Sequence, residues 1–102
     1  MVFVYITCGD RAEARKISKS LLEKRMIACA NFFPVDCMYW WNNKIQDNVE
    51  IVIIAKTLKE NFKIIKDEVK KLHSYDIPCI CMFDSEDDED YSDWINKEVK
   101  RG

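Results

Sequence analysis

Imidazole and thiolate groups are the side chains here best suited to holding a transition metal. His73 is the only histidine in the chain, and imidazole is a favoured ligand of copper and zinc. It stands where a helical pattern ends, just before Tyr75 and Asp76. A protonated ring there would complement the helix dipole, so a helix-end role stays open beside the ligand role. The five cysteines are Cys8, Cys29, Cys37, Cys79 and Cys81. Cys8, in "CGD", falls at a strand-to-helix junction, where a thiol pKa tends to drop. Cys29 lies in "ACAN", and thiolate suits Cu(I) and zinc. Cys79 and Cys81 are two apart in an apolar run and share one face of a strand. An odd cysteine count with no C-x-x-C spacing argues against a disulfide framework, so most of the five read as small buried hydrophobes. The acidic run over 84–90 lacks the spacing and glycine of an EF-hand and reads as a solvated loop before a helix. Neither a Ser-His-Asp pattern nor a P-loop nor a metalloprotease motif is present, and no enzyme activity is expected.

The elements that must position these residues follow from periodicity. "VFVYIT" (2–7) is rich in β-branched and aromatic residues and predicts a strand. Asp10 with Glu13 has the spacing of a capping box, and Ala14, Ile17 and Leu21 give the helix its apolar stripe. Strand character returns over 26–33, with Pro34 and Asp36 expected to interrupt it as a bulge or edge kink. "CMYWW" continues it, Asn42-Asn43 turns it, and 44–56 runs back, asparagine tolerating the positive φ of a two-residue hairpin turn. Thr57 with Glu60 suggests a second capping box, followed by the stripe Leu58, Phe62, Ile65, Val69 and Leu72. A strand over 77–84 and a last helix carrying Tyr91, Trp94, Ile95 and Val99 close the chain. The fold class is therefore α+β, a ferredoxin-like βαββαβ arrangement with a long central hairpin and an extra C-terminal helix.

A chain of 102 residues predicts one domain over 1–102. Hydrophobic residues make up 48% and charged residues 33%, with a net charge of −2. With no basic field, nucleic-acid binding is not expected. No apolar run reaches the roughly 18–20 residues a membrane span needs. The first ten residues read as a strand rather than a leader, and the expected location is cytoplasmic. The strands are apolar on both faces: Val2, Val4 and Ile6 oppose Phe3 and Tyr5, and Cys79, Cys81 and Phe83 oppose Ile80 and Met82. Two helices cover only one face. Tyr39, Trp40 and Trp41 stand on a hairpin arm of about 13 residues, roughly 43 Å at 3.3 Å per residue. Such an arm overreaches a domain whose radius of gyration is about 13 Å. Both features predict that further copies of the chain cover the second face and the arm.

The segments "LLEKRMIACANFFP", "YWWNNKIQDNVEIVIIAKT", "HSYDIP" and "DYSDWI", in this order and spacing, resemble the CutA divalent-cation-tolerance family along essentially the full length. The resemblance implies a homotrimer of ferredoxin-like subunits, similar to PII-type signal transducers, with sheets facing inward. It implies a cytoplasmic protein associated with tolerance to copper and other divalent metals, with no metal required for folding. His73 and Cys29 are then the candidate metal ligands, for copper or zinc. Lys56, Tyr75, Trp40 and Asn31 are candidates for a cleft between subunits, and Tyr39, Trp40 and Trp41 for the trimer interface. An alternative of another class is a PII-like trimeric signalling or scaffold module that binds a small ligand or protein. The chain departs from the family pattern at Ser74, where the family has Pro, and at Cys79, where it has Glu. The first-strand Cys and the paired histidine of some bacterial relatives correspond to Ile6 and Leu72, so His73 stands alone.

Overall fold

The computed structural model describes residues 1–101. The elements are β1 (Val2–Cys8), α1 (Arg11–Glu23), β2 (Cys29–Trp41), β3 (Lys44–Thr57), α2 (Phe62–Leu72), β4 (Ile80–Asp84) and α3 (Glu89–Glu98), with a 3-10 turn at Lys59–Asn61. The four strands form one antiparallel sheet in the order β2-β3-β1-β4. This is the expected ferredoxin-like arrangement with its additional helix.

The period-2 pattern of β1 decides which face carries the core. Val2, Val4, Ile6 and Cys8 are buried, while Phe3, Tyr5 and Thr7 are only partly so. Ile51, Ile53 and Ala55 of β3 lie on the same side, and Ala14, Ile17 and Leu21 of α1 with Ile65 and Val69 of α2 close over them. A smaller cluster of Leu58, Ile95 and Val99 anchors α3. The opposite face carries Phe3, Tyr5, Phe33, Ile54, Cys81 and Phe83, and much of it lies open: Phe33 is 42% and Phe83 54% exposed.

The central hairpin is long and regular. β2 and β3 pair without a break from Cys29↔Lys56 to Trp41↔Lys44, and Asn42 and Asn43 turn it with φ of 51° and 61°. Positive φ at both residues is the signature of a type I′ turn, whose twist matches that of paired strands. The molecule is 45 Å long, as arms of 13 and 14 residues require at about 3.3 Å per residue. Near the tip, Met38, Trp40 and Ile45 lie exposed beyond the reach of the helices.

Three local expectations are corrected. Pro34 and Asp36 cause no bulge: Pro34 pairs with Ile51 in unbroken register, because β2 is an edge strand where a missing N–H can face outward. Thr57 and Glu60 form no capping box. Thr57 is the buried last residue of β3, its hydroxyl donates to the Met26 carbonyl, and neither the 3-10 turn nor α2 has a side-chain cap. The last strand starts at Ile80, after a loop that holds residues 73–79.

Candidate functional site

The loop between α2 and β4 folds back onto the junction of β1 and α1, and Glu13 ties them together. Asp10 caps α1 by accepting the Glu13 N–H at 2.8 Å. The Glu13 carboxylate accepts the Gly9 N–H at 2.9 Å with one oxygen and the Ser74 N–H at 2.8 Å with the other. Burial pushes the Glu13 carboxyl up, but the donors at Gly9 and Ser74 outweigh it and leave its pKa below the usual carboxylate range. The capping box read from sequence is thus half right. Glu13 reaches back to Gly9 rather than to the cap residue, and its second oxygen does the loop-holding.

His73 sits under this loop with its side chain fully buried. Nδ1 accepts the Tyr75 N–H at 3.0 Å, and Nε2 lies 2.6 Å from the Thr7 carbonyl oxygen. An acceptor Nδ1 leaves the ring proton on Nε2, which donates to Thr7. Both ring nitrogens are therefore engaged by backbone. Cys8, Glu13 and His73 nevertheless bring one sulfur, one oxygen and one nitrogen donor within 4.8 Å of one another. Cys8 corrects the expectation of an activated thiol. Burial first, then the charges of Glu13, Glu50 and Asp10, push its pKa up to about 12, overriding any helix-end effect.

Beyond the loop opens a cavity of about 300 Å³ lined by Thr7, Cys37, Tyr39, Glu50, Tyr75 and Cys79, among others. Tyr75 donates to the Glu50 carboxylate at 2.7 Å, and burial together with that carboxylate holds the phenol's pKa above its ordinary value. Glu50 is itself buried. Its bond to the Cys37 thiol, followed by burial, raises the Cys37 pKa to about 11. Glu50 escaped the sequence reading. Its signal was a lone carboxylate at the head of the apolar run Ile51 to Ala55.

Of the residues singled out from sequence, Tyr75 and Tyr39 line this cavity and His73 lies behind it. Cys29 pairs with Lys56, which pairs with Phe3, whereas His73 contacts Thr7. Four positions along the strand, about 13 Å, and two interstrand steps of about 4.8 Å separate the backbone positions of the two candidate ligands within one chain. Lys56 donates to the Tyr91 hydroxyl at 3.3 Å, and Asn31 lies near it on the open face. Trp40 projects from the hairpin's other face and is 71% exposed, while Trp41 reaches the cavity.

A four-stranded sheet with helices on one face, a long hairpin and a loop-lined cleft at the end of its first strand defines a ferredoxin-like module. The CutA1 divalent ion tolerance protein family matches residues 2–98, and the chain belongs to it. The divalent-cation tolerance protein CutA of Archaeoglobus fulgidus is 43% identical over 99 residues, covering 96% of this chain and 97% of that protein. That of Pyrococcus horikoshii is 40% identical, covering 99% and 100%. The crystal structure of CutA1 from Pyrococcus horikoshii superposes with a TM-score of 0.94 at 41% identity over 99% of this chain and all of that one. The PII-like protein CutA from Nostoc, 20% identical with a TM-score of 0.92, shares the fold.

Proposed function

We propose that this protein is a homotrimeric divalent-cation-tolerance protein that acts by binding a cation, not by turning over a substrate. The observation that carries the trimer is the apolar open face, where Phe33 and Phe83 are exposed and Phe3, Tyr5 and Ile54 are only partly covered. Burial of such surface is worth roughly 25 cal/mol per Å² and favours a neighbour over water. Tyr39, Trp40 and Trp41 on the hairpin would make part of that contact.

The donors of Cys8, Glu13 and His73 fit a borderline ion such as Zn²⁺ or Cu²⁺ in type and spacing. Glu13 and His73 already have backbone partners, which supports a fold that stands without the metal. An ion at His73 would replace the Tyr75 N–H at Nδ1, and capture of the ion would then loosen the 73–79 loop. Cys29, Lys56, Asn31 and Trp40 would join such a cleft only from neighbouring subunits. The odd cysteine count without C-x-x-C spacing supports a reducing, cytoplasmic setting. By contrast, the Archaeoglobus fulgidus structure is described as that of a periplasmic protein.

Calorimetric titration of chelator-stripped protein with Zn²⁺, wild type beside His73→Ala, tests the reading. One site per subunit that disappears in the variant is the expected result. Weak, superstoichiometric binding indifferent to the variant would remove His73 from metal handling. A second reading draws on the cavity, whose volume is at the lower end for small-ligand sites. Under it, the Glu50–Tyr75 pair receives a small polar ligand, as in a PII-like module, and a metabolite would raise the melting temperature in the presence of chelator.

A further inference from the structure

The Cys79 and Cys81 sulfurs lie 3.7 Å apart on the open face, and each is the other's hydrogen-bond partner. Both residues are exposed. A metal–thiolate bond is about 2.3 Å, so two sulfurs on one ion stand at most about 4.6 Å apart. At that bond length the observed separation subtends an angle of roughly 107° at the ion, and a linear two-coordinate ion asks the two side chains to part by about 0.9 Å more. A disulfide is less well served. Same-face residues two apart on a strand have Cα atoms about 6.6 Å apart. That is near the upper limit for a bridge, and their Cβ vectors run parallel instead of converging.

Other polar groups stand around the pair without joining it as a third donor. Cys37 lines the same cavity as Cys79, and the Glu50 carboxylate stands beside it. Burial first, then Cys79, Cys37, Glu50 and Cys81, raise the Tyr5 pKa, yet among the described residues only Cys79 and Cys81 of this set are in direct sulfur contact, and no third donor joins them within 4.8 Å. The side chains of this group come from β2, β3, β4 and the last residue of the loop before β4, and leave out His73. Burial, then the neighbouring Cys81, raises the Cys79 pKa to about 11, so metal binding there displaces a proton.

We propose that Cys79 and Cys81, with Cys37 nearby, form a thiolate site for a soft monovalent cation of the Cu(I) class, separate from His73. Two thiolates are the donor set that a soft ion with low coordination demands, and a hard or strictly tetrahedral ion finds too few ligands. Each thiol that binds releases its proton, so affinity rises by about tenfold per pH unit for each proton displaced. A neighbouring subunit seated on the open face would close over the pair and exclude water. The inference does not depend on the proposed divalent site.

The test is anaerobic competition for Cu(I) against a Cu(I)-specific chelator. Reduced wild-type protein is compared with Cys79→Ser, Cys81→Ser, Cys29→Ser and His73→Ala. Circular dichroism and sedimentation first verify that each is folded and assembled as wild type. The expected result is one Cu(I) per subunit, retained in Cys29→Ser and His73→Ala. Each of the Cys79 and Cys81 variants should weaken by more than about tenfold, beyond even outer-shell effects. Unchanged affinity in both of those variants, or loss in His73→Ala alone, would overturn the proposal. A site lost equally with Cys29→Ser would also overturn it, since generic thiol binding would then explain the signal. Should the Cys79 variant misfold, Cys81→Ser decides alone. A Zn²⁺ titration of the same variants reports on the His73 site separately.

Discussion

Glu13 does more than any other single side chain to hold the site together, since its two oxygens join the start of α1 to the loop after α2. Its folded pKa is depressed. A carboxylate of this kind contributes stability that is fully present above its unfolded pKa, about 4.3, and lost as pH falls through the lower folded value. Glu13→Gln should therefore cost about 1–3 kcal/mol at neutral pH and almost nothing in strong acid. Denaturant midpoints for wild type and variant, measured from pH 7 to pH 3, should converge at the acid end; parallel curves would deny Glu13 this role. His73 shows what a sequence does and does not reveal at this scale. Its position at the helix end was legible from spacing, because the apolar stripe of α2 stops at Leu72. Its hydrogen bonds were not, since Thr7 is 66 residues away in the chain and only the β1–β4 pairing brings it near. The same holds for Glu50 and Tyr75, 25 residues apart yet bonded.

Strands were easier to read than caps. β1, the long hairpin and α1 follow from alternation, from the Asn-Asn turn and from Asp10, which are all local signals. The Thr57–Glu60 pattern has the right spacing for a cap, yet the buried hydroxyl of Thr57 found a carbonyl across the core instead. Tertiary burial outweighs a local preference worth about a kilocalorie. The Pro34 bulge failed for a comparable reason, since an edge strand tolerates proline without bending. The turn itself yields a prediction. Asn43 has φ of 61°, a region in which a β-branched residue costs about 1–2 kcal/mol and glycine none. Asn43→Val should lower the thermal midpoint and Asn43→Gly should hold or raise it. Identical midpoints for both would mean that the tip is not held in this geometry.

The molecule as a whole presents an asymmetric sheet, sealed by helices on one side and bare on the other. Phe33 and Phe83 stand on the bare side, 42% and 54% exposed. In a lone subunit Phe83→Asp would be a surface change worth about 0.5 kcal/mol or less. In a trimer it would bury a carboxylate without a partner, and sedimentation should show smaller species with sharply reduced stability. A variant that sediments and melts as wild type would leave the bare face outside any interface. The strand order has one more consequence, in time rather than space. β1 is made first but lies between β3 and β4, and its second neighbour ends 76 residues later, at Asp84 against Cys8. At about 5–20 residues per second of synthesis, β1 therefore waits roughly 4–15 s for its second neighbour. Throughout that interval an apolar, aromatic strand has an unpaired edge in a crowded cell, so the nascent chain, not the finished protein, is where this topology is most exposed to aggregation.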